Sequence, residues 1–278
     1  YGQLGDSSIT SRTSPVAVGG GLIFQSISAG GVHTCGVSGT GAAYCWGANV
    51  GDGTNTNRTS PVVVIGGLTF QAVSAGGSHT CGLAASGAAY CWGYNTWGQL
   101  GDGSWTSRSS PVAVGGGLTF RSISAGGSHT CALTAAGAAY CWGYGNPGQL
   151  GDGTNTYTVT APVAVAGGLN FQSISAGSYH TCGVTTEGVA YCWGSNEFGQ
   201  LGSGTITGQE SPFAVAGGLT FQSISAGSGH SCGITSGGGA YCWGAYAALQ
   251  SGDGAGYRAN PTRVVGGIVF GTPGALFE

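Results

Sequence analysis

The sequence predicts an all-β chain, a β-propeller of four-stranded blades, and three observations carry that prediction. The five His residues, His33, His79, His129, His180 and His230, are spaced by 46, 50, 51 and 50 residues. Each opens the same phrase, from HTCGVSGTGAAYCWG in the first copy to HSCGITSGGGAYCWG in the fifth. Every copy also holds four short strand-forming runs between Gly-, Asn- and Ser-rich turns, the content of one propeller blade. Finally, Gly recurs every few residues and no 3.6-residue apolar period is present, which argues against helical repeats.

Within a repeat the runs are, in order, SPVAV, LTFQSIS, HTCGV and AAYCW, here termed strands a to d. Five repeats are complete. A sixth opens at Pro261 (PTRVVGGIVF) but breaks at Gly271-Thr272-Pro273 with no c or d run after it. Residues 1–278 read as a single propeller domain, opening in mid-motif at Tyr1-Gly2-Gln3-Leu4-Gly5 as a mature or excised portion of something longer. The 46-residue copy is short because its loop between Trp46 and Pro61 lacks four residues found between Trp92 and Pro111. Length changes confined to one loop fit a repeat whose strands are fixed.

All ten Cys fall in five pairs, each separated by ten. They are Cys35 with Cys45, Cys81 with Cys91, Cys131 with Cys141, Cys182 with Cys192, and Cys232 with Cys242. In the first pair a three-residue loop, Gly39-Thr40-Gly41, places Gly where a type I turn with a G1 bulge needs positive φ. Counting outward from that loop sets Cys35 directly opposite Cys45, a spacing compatible with a disulfide. Two readings compete with disulfides. Zinc would need two further ligands per pair and no Cys-x-x-Cys occurs; buried reduced thiols are the plainer alternative. Disulfides place the chain in an oxidising, extracellular setting.

Composition narrows the function classes. Charged residues make up 5% of the chain, six Lys+Arg against nine Asp+Glu. Nucleic-acid binding needs clustered cations for phosphates, and a polybasic membrane patch needs them too, so both are disfavoured. No apolar run approaches the roughly 18 residues of a membrane-spanning helix. Gly and Pro supply 68 of 278 residues, yet Trp, Tyr, Val and Ile recur on a fixed period, which a disordered chain lacks.

The phrases WGYNTWGQLGDG, SPVAV, FQSISAGGSHTCGL and GAAYCWG resemble the regulator of chromosome condensation repeat family over nearly the whole chain. Periodic Gly-Gln-Leu-Gly together with His-Thr/Ser and Tyr-x-Trp-Gly is the specific part of the resemblance. It implies a propeller, commonly of seven blades, that presents loops to other proteins. The exchange-factor members of the family bind chromatin and a small GTPase, and the basic tail that goes with that role is missing here. Photoreceptor members carry Trp just before the His-Thr pair, where this chain has Gly77-Ser78, Gly127-Ser128 and Ser178-Tyr179. Secreted bacterial members, one of them a β-lactamase inhibitor, are closer in composition.

Repeated residues read as structure. Each His is expected to hydrogen-bond within its own blade, and Trp46, Trp92, Trp142, Trp193 and Trp243, one per blade, to form core between blades. Asp52, Asp102, Asp152 and Asp253 sit in Gly-Asp-Gly turns without the spacing of a calcium loop. No metal site, cofactor or catalytic residue is implied: no nucleophile elbow or carboxylate pair is present, and no His departs from the repeat. Singular residues read as function. The d-to-a loops carry Tyr94, Trp97, Trp105, Tyr144, Tyr157, Phe198, Tyr246 and Tyr257, which one end of the blades would gather on a single face. Tyr and Trp are favoured interface anchors. Asn57-Arg58-Thr59 is the one glycosylation sequon, placed in a d-to-a loop. The expectation is a secreted, non-enzymatic protein-binding propeller; a structural subunit of an extracellular assembly and a glycan-binding lectin are the alternatives.

Overall fold

The computed structural model describes residues 1–245 and 257–264. These residues form five four-stranded antiparallel sheets, each with its strands side by side in chain order. The first contains β1 (Phe24–Ala29), β2 (His33–Ser38), β3 (Ala43–Gly47) and β4 (Arg58–Val63). The second contains β5 (Phe70–Ala75), β6 (His79–Ala84), β7 (Ala89–Gly93) and β8 (Arg108–Ala113). The third contains β9 (Ser122–Ala125), β10 (His129–Leu133), β11 (Ala139–Tyr144) and β12 (Thr158–Ala164). In the fourth are β13 (Phe171–Ala176), β14 (His180–Thr185), β15 (Ala190–Gly194) and β16 (Gln209–Ala214). In the fifth are β17 (Phe221–Ala226), β18 (His230–Thr235), β19 (Ala240–Gly244) and β20 (Arg258–Arg263).

The blade is offset from the sequence repeat by one strand. Strands b, c and d of one repeat take strand a of the next as their outer edge, so β20, which reads as the opening of a sixth repeat, completes the fifth sheet. The first SPVAV run, residues 14–18, forms no strand. An outer position also suits the Pro of this run, which has no N–H for a ladder and is tolerated at a sheet edge.

The c–d hairpin follows from local chemistry. Gly41 adopts φ 81° and donates its N–H to Ser38, while Ser38 N–H donates to Ala42, closing the three-residue loop. Cys35 then faces Cys45 across β2 and β3. In the same register Cys81 faces Cys91, Cys131 faces Cys141, Cys182 faces Cys192, and Cys232 faces Cys242. All five pairs are disulfides with Cα atoms 4.1 Å apart, as the spacing predicts.

The core lies between sheets. Cys35, Val37, Ala43, Cys45 and Val50 of the first repeat pack against Phe70, Val73 and Trp92 of the second, and the next three junctions repeat the arrangement. The disulfides of the first four sheets are thus covered by the following blade's Trp, and each of the five Trp is at most 1% exposed. Truncating such a Trp to Ala costs about 3–5 kcal/mol.

Polar groups cross the same junctions. His33 Nε2 meets Thr80 Oγ1 at 2.7 Å, His79 meets Thr130 at 2.9 Å, His129 meets Thr181 at 2.9 Å and His180 meets Ser231 at 2.8 Å. This corrects the expectation of bonds within one blade. The side chain reaches the blade that follows, while the backbone carbonyl of His33 accepts from Gly30. The Gly-Gln-Leu turn of each long loop plugs into the next blade as well: Gln99 carbonyl accepts from Trp142 Nε1 at 3.0 Å and from Thr130 Oγ1 at 2.9 Å. Gln3 does the same for Trp46 and Thr34. The short loop after β3 has no Gln, and the buried Trp92 Nε1 is left without a partner.

At the axis the b–c turns of all five sheets surround a depression of about 220 Å³. Neighbouring turns touch, with Gly77 N–H donating to Gly126 carbonyl at 3.0 Å. A Cβ on Gly76 would lie 2.5 Å from Gly126 O, so only Gly allows this approach. Among the described residues, no comparable packing joins the fifth sheet to the first. Phe24 is accordingly only half-buried where Phe70, Phe120, Phe171 and Phe221 are buried, and Ile27 is 48% exposed.

Candidate functional site

The b–c turns and d-to-a loops share one end of the sheets, because each His that opens strand c pairs with the Gly that closes strand d, as His180 does with Gly194. On that end four rings from the second, third and fourth blades meet. Trp97 comes from the loop after β7, Tyr144 from the end of β11, Tyr157 from the residue before β12 and Tyr179 from the turn between β13 and β14. Trp97 lies 5.0 Å from Tyr144 and 5.6 Å from Tyr157 between ring centroids; Tyr144 lies 5.2 Å from Tyr157 and 6.4 Å from Tyr179. The rings stand at 58° to 84° to one another, so they form walls rather than a flat platform. Tyr157 and Tyr179 are 54% and 52% exposed, while Trp97 and Tyr144 are half-buried beneath them. Burial, then Tyr157 and Tyr179, hold the Tyr144 phenol above its ordinary pKa.

Other aromatic candidates lie apart from this cluster. Tyr94, Trp105 and Phe198 are exposed, and no ring contact among the described residues joins them to it. Phe198 leans over Gly229 of the fifth blade, where a Cβ would lie 3.3 Å from its ring. Tyr257 is exposed beside β20, and Tyr246 lies outside the described residues. Tyr179 is the member that loop reading misses. It sits in a b–c turn, and its signal is that Val32, Ser78, Ser128 and Gly229 hold the same place in the other copies.

The loop beneath the cluster departs from its neighbours. In the loop after β7, Gln99 Oε1 accepts from Trp97 N–H at 3.0 Å, and Asn95 ties the loop to its own far end through the carbonyls of Ser104 and Thr106. In the loop after β15, Gln200 Oε1 accepts from Phe198 N–H at 2.9 Å and Gln200 Nε2 donates to Ser195 Oγ at 3.2 Å. The loop after β11 has Pro147 where those N–H groups stand, Tyr144 in place of Ser195, and Gly145 in place of the bracing Asn. Gln149 is 0% exposed there, and neither atom of its side-chain amide has a partner.

Residues 1–272 match the RCC1-like domain. The chain belongs to that family. Among solved structures this RCC1-like chain is similar to human WBSCR16, at 21% identity and a TM-score of 0.78 over 87% of this chain and 67% of that one. It is similar to Prp20p of Saccharomyces cerevisiae, at 23% identity and a TM-score of 0.76 over 88% of this chain and 64% of that one. It is also similar to the ectodomain of the receptor kinase CR4 from Physcomitrella patens, at 28% identity and a TM-score of 0.56 over 80% of this chain and 52% of that one. The chain spans about two thirds or less of the length of each.

The repeated polar residues of this RCC1-like chain serve its own loops. Asp52 Oδ1 accepts from Thr54 N–H at 2.9 Å and its Oδ2 from Arg58 Nε at 2.7 Å; Asp102 pairs with Arg108 in the same way. Burial pulls the Asp102 carboxyl upward, but hydrogen bonds from Ser104 and Arg108 outweigh it and hold the pKa low. Asp152 makes the turn with Thr154, and Asp253 lies outside the described residues. Asn57 of the sequon is exposed in the loop before β4. Burial lowers the pKa of His33 and His129 to about 4, and that of His79 and His180 to about 3, so these imidazoles are neutral struts.

Proposed function

We propose that this chain is an extracellular, non-catalytic protein-binding propeller that engages its partner through the face carrying Trp97, Tyr144, Tyr157 and Tyr179. The observation behind this reading is the ring cluster itself, in which Trp97, Tyr157 and Tyr179 each appear once among the repeats and Tyr157 and Tyr179 are exposed at the loop end. Large, rigid aromatic side chains of this kind supply most of the binding energy at protein interfaces. Yeast RCC1 (Prp20) has been crystallised bound to Kap60 and has binding properties to Gsp1p and histones, so a protein of the same fold binds other proteins. CR4 and ACR4 carry theirs on receptor ectodomains, and five disulfides suit the same oxidising side of a membrane.

Replacing Trp97 or Tyr157 by Ala is expected to weaken capture of the partner from the host's extracellular fraction by roughly 30-fold, the cost of losing an interface anchor. The melting temperature of the Tyr157 variant should stay unchanged, because that ring is more than half exposed. A partner retained equally by native chain and both variants would remove the face from consideration.

A structural-subunit role is favoured by a separate observation. The outward side of the first sheet, with Phe24 half-buried and Ile27 exposed, offers apolar surface that the other junctions cover. A blade from another chain seated there would bury it in a head-to-tail contact.

A further inference from the structure

We propose that Tyr144 and Tyr157 are a site of oxidative modification, at which a peroxide-driven one-electron oxidant couples the two phenols into a dityrosine cross-link across the neck of the loop after β11. The inference is independent of the protein-binding reading, since it concerns a bond within the chain. Three features converge on it.

Ring contact is the first. Tyr144 and Tyr157 lie 5.2 Å apart between centroids at 84°, and their hydroxyls are within hydrogen-bonding reach of each other. Among the described residues no other pair of phenols is as close. Tyr44, Tyr90, Tyr140 and Tyr191 on the d strands each meet a Phe ring, which has no hydroxyl hydrogen to give up. Tyr144 and Tyr179 are wider apart at 6.4 Å and belong to different blades. Backbone anchoring is the second feature. Tyr144 ends β11 opposite Thr158, and Gly145 N–H donates to the Tyr157 carbonyl at 3.0 Å, so both residues are fixed on facing strands before any reaction. Coupling of groups already held side by side needs little reorganisation. The third feature is a missing brace. Asn95 and Asn196 tie the loops after β7 and β15 to their own far ends through backbone carbonyls, and Gly145 stands in their place in the loop after β11. A bond between Tyr144 and Tyr157 would close that same neck covalently and restrict the loop it encloses, as a disulfide does.

The chemistry balances with peroxide as the final oxidant. Tyr157, 54% exposed, is the ring the oxidant reaches, and it loses one electron and its hydroxyl proton. The resulting radical takes a hydrogen atom from Tyr144 across the hydroxyl contact, and a second oxidation of Tyr157 completes a pair of phenoxyl radicals. These join through a ring carbon next to each hydroxyl, and the hydrogens on those carbons move to the oxygens to restore both phenols. Two electrons and two protons leave in all, and one hydrogen peroxide is reduced to two waters.

The test is treatment of the intact, disulfide-bonded chain with a haem peroxidase and limiting hydrogen peroxide, at a protein concentration low enough that chains do not join one another. Intact mass should fall by two hydrogens and dityrosine fluorescence should appear. After reduction, cleavage before Asp152 should leave the peptide holding Tyr144 attached to the one holding Tyr157. Tyr144→Phe and Tyr157→Phe should each lower the yield of the joined peptide at least about 10-fold, because Phe keeps the ring packing and forms no phenoxyl radical. Tyr179→Phe and Tyr94→Phe should leave the yield unchanged. Absence of the joined peptide from the native chain overturns the inference. Its formation at full yield in Tyr157→Phe also overturns it and assigns the bond to Tyr144 and Tyr179, and a yield lost in Tyr179→Phe does the same.

Discussion

Reduction of the five disulfides is expected to unfold the propeller. Each closes a loop with its Cys ten residues apart, worth about 2–3 kcal/mol on the chain-entropy estimate. Five together approach or exceed the roughly 5–15 kcal/mol of a whole domain. The effect is compounded by position, since Cys35 and Cys45 lie in the junction core under Trp92 and a broken pair disturbs two blades at once. Intact mass should show ten alkyl labels only after reduction, and the labelled chain should have lost its cooperative urea transition. Ten labels without reductant, or an unchanged urea midpoint after labelling, would contradict the disulfide framework and the extracellular placement with it.

Acid is the second large lever. Four imidazoles are buried at sheet junctions with folded pKa values of about 3 to 4, depressed by burial from 6.5, and His33 and His129 further disfavour charge on His79. A neutral buried His binds fewer protons than the same His unfolded. Its contribution is therefore fully present above pH 6.5 and is lost as pH falls from there toward the folded value. The slope is about 1.4 kcal/mol per pH unit for each group. The carboxylates of Asp52 and Asp102, also lowered, act in the same direction but only below about pH 4. Urea midpoints should be level between pH 7 and 8 and fall steeply between about pH 6 and 4.5. A midpoint that stays level down to pH 4.5 would show that the His struts are protonated, or exposed, in the folded chain.

What the sequence reveals here depends on distance along the chain. The Cys pairing, the Gly41 turn and the identity of strands b to d are decided within about a dozen residues, and the structure keeps all of them. Blade composition is not decided locally: SPVAV reads the same whether it pairs with its own repeat or the preceding one, and it takes the preceding one. The His partners are hidden for the same reason, since the Thr that receives His33 is 47 residues away although another Thr is adjacent to it. Loss of four residues from the loop after β3 is plain in the sequence. That it strips Trp92 Nε1 of the Gln carbonyl its counterparts use emerges only from the junction geometry.

The candidate face is partly legible. Trp97 and Tyr157 stand out because no other complete repeat has Trp or Tyr at their places, Tyr144 shares its place with Tyr94, and the fold gathers the three. Trp105 has the same signature and stays alone, because it is 59% exposed beyond the buried turn at residues 98–101 and touches none of the four rings. Tyr179 enters from a b–c turn, a segment that sequence reading treats as repeated scaffold.

The protein-binding reading turns on one map, hydrogen exchange of the chain alone and with its captured partner. Slowed exchange is expected at residues 94–97, 144–157 and 178–180, with no change at the opposite end around Thr186, Glu187 and Gly188. Protection confined to that opposite end, or to the open side of the first sheet at Phe24 and Ile27, would contradict it.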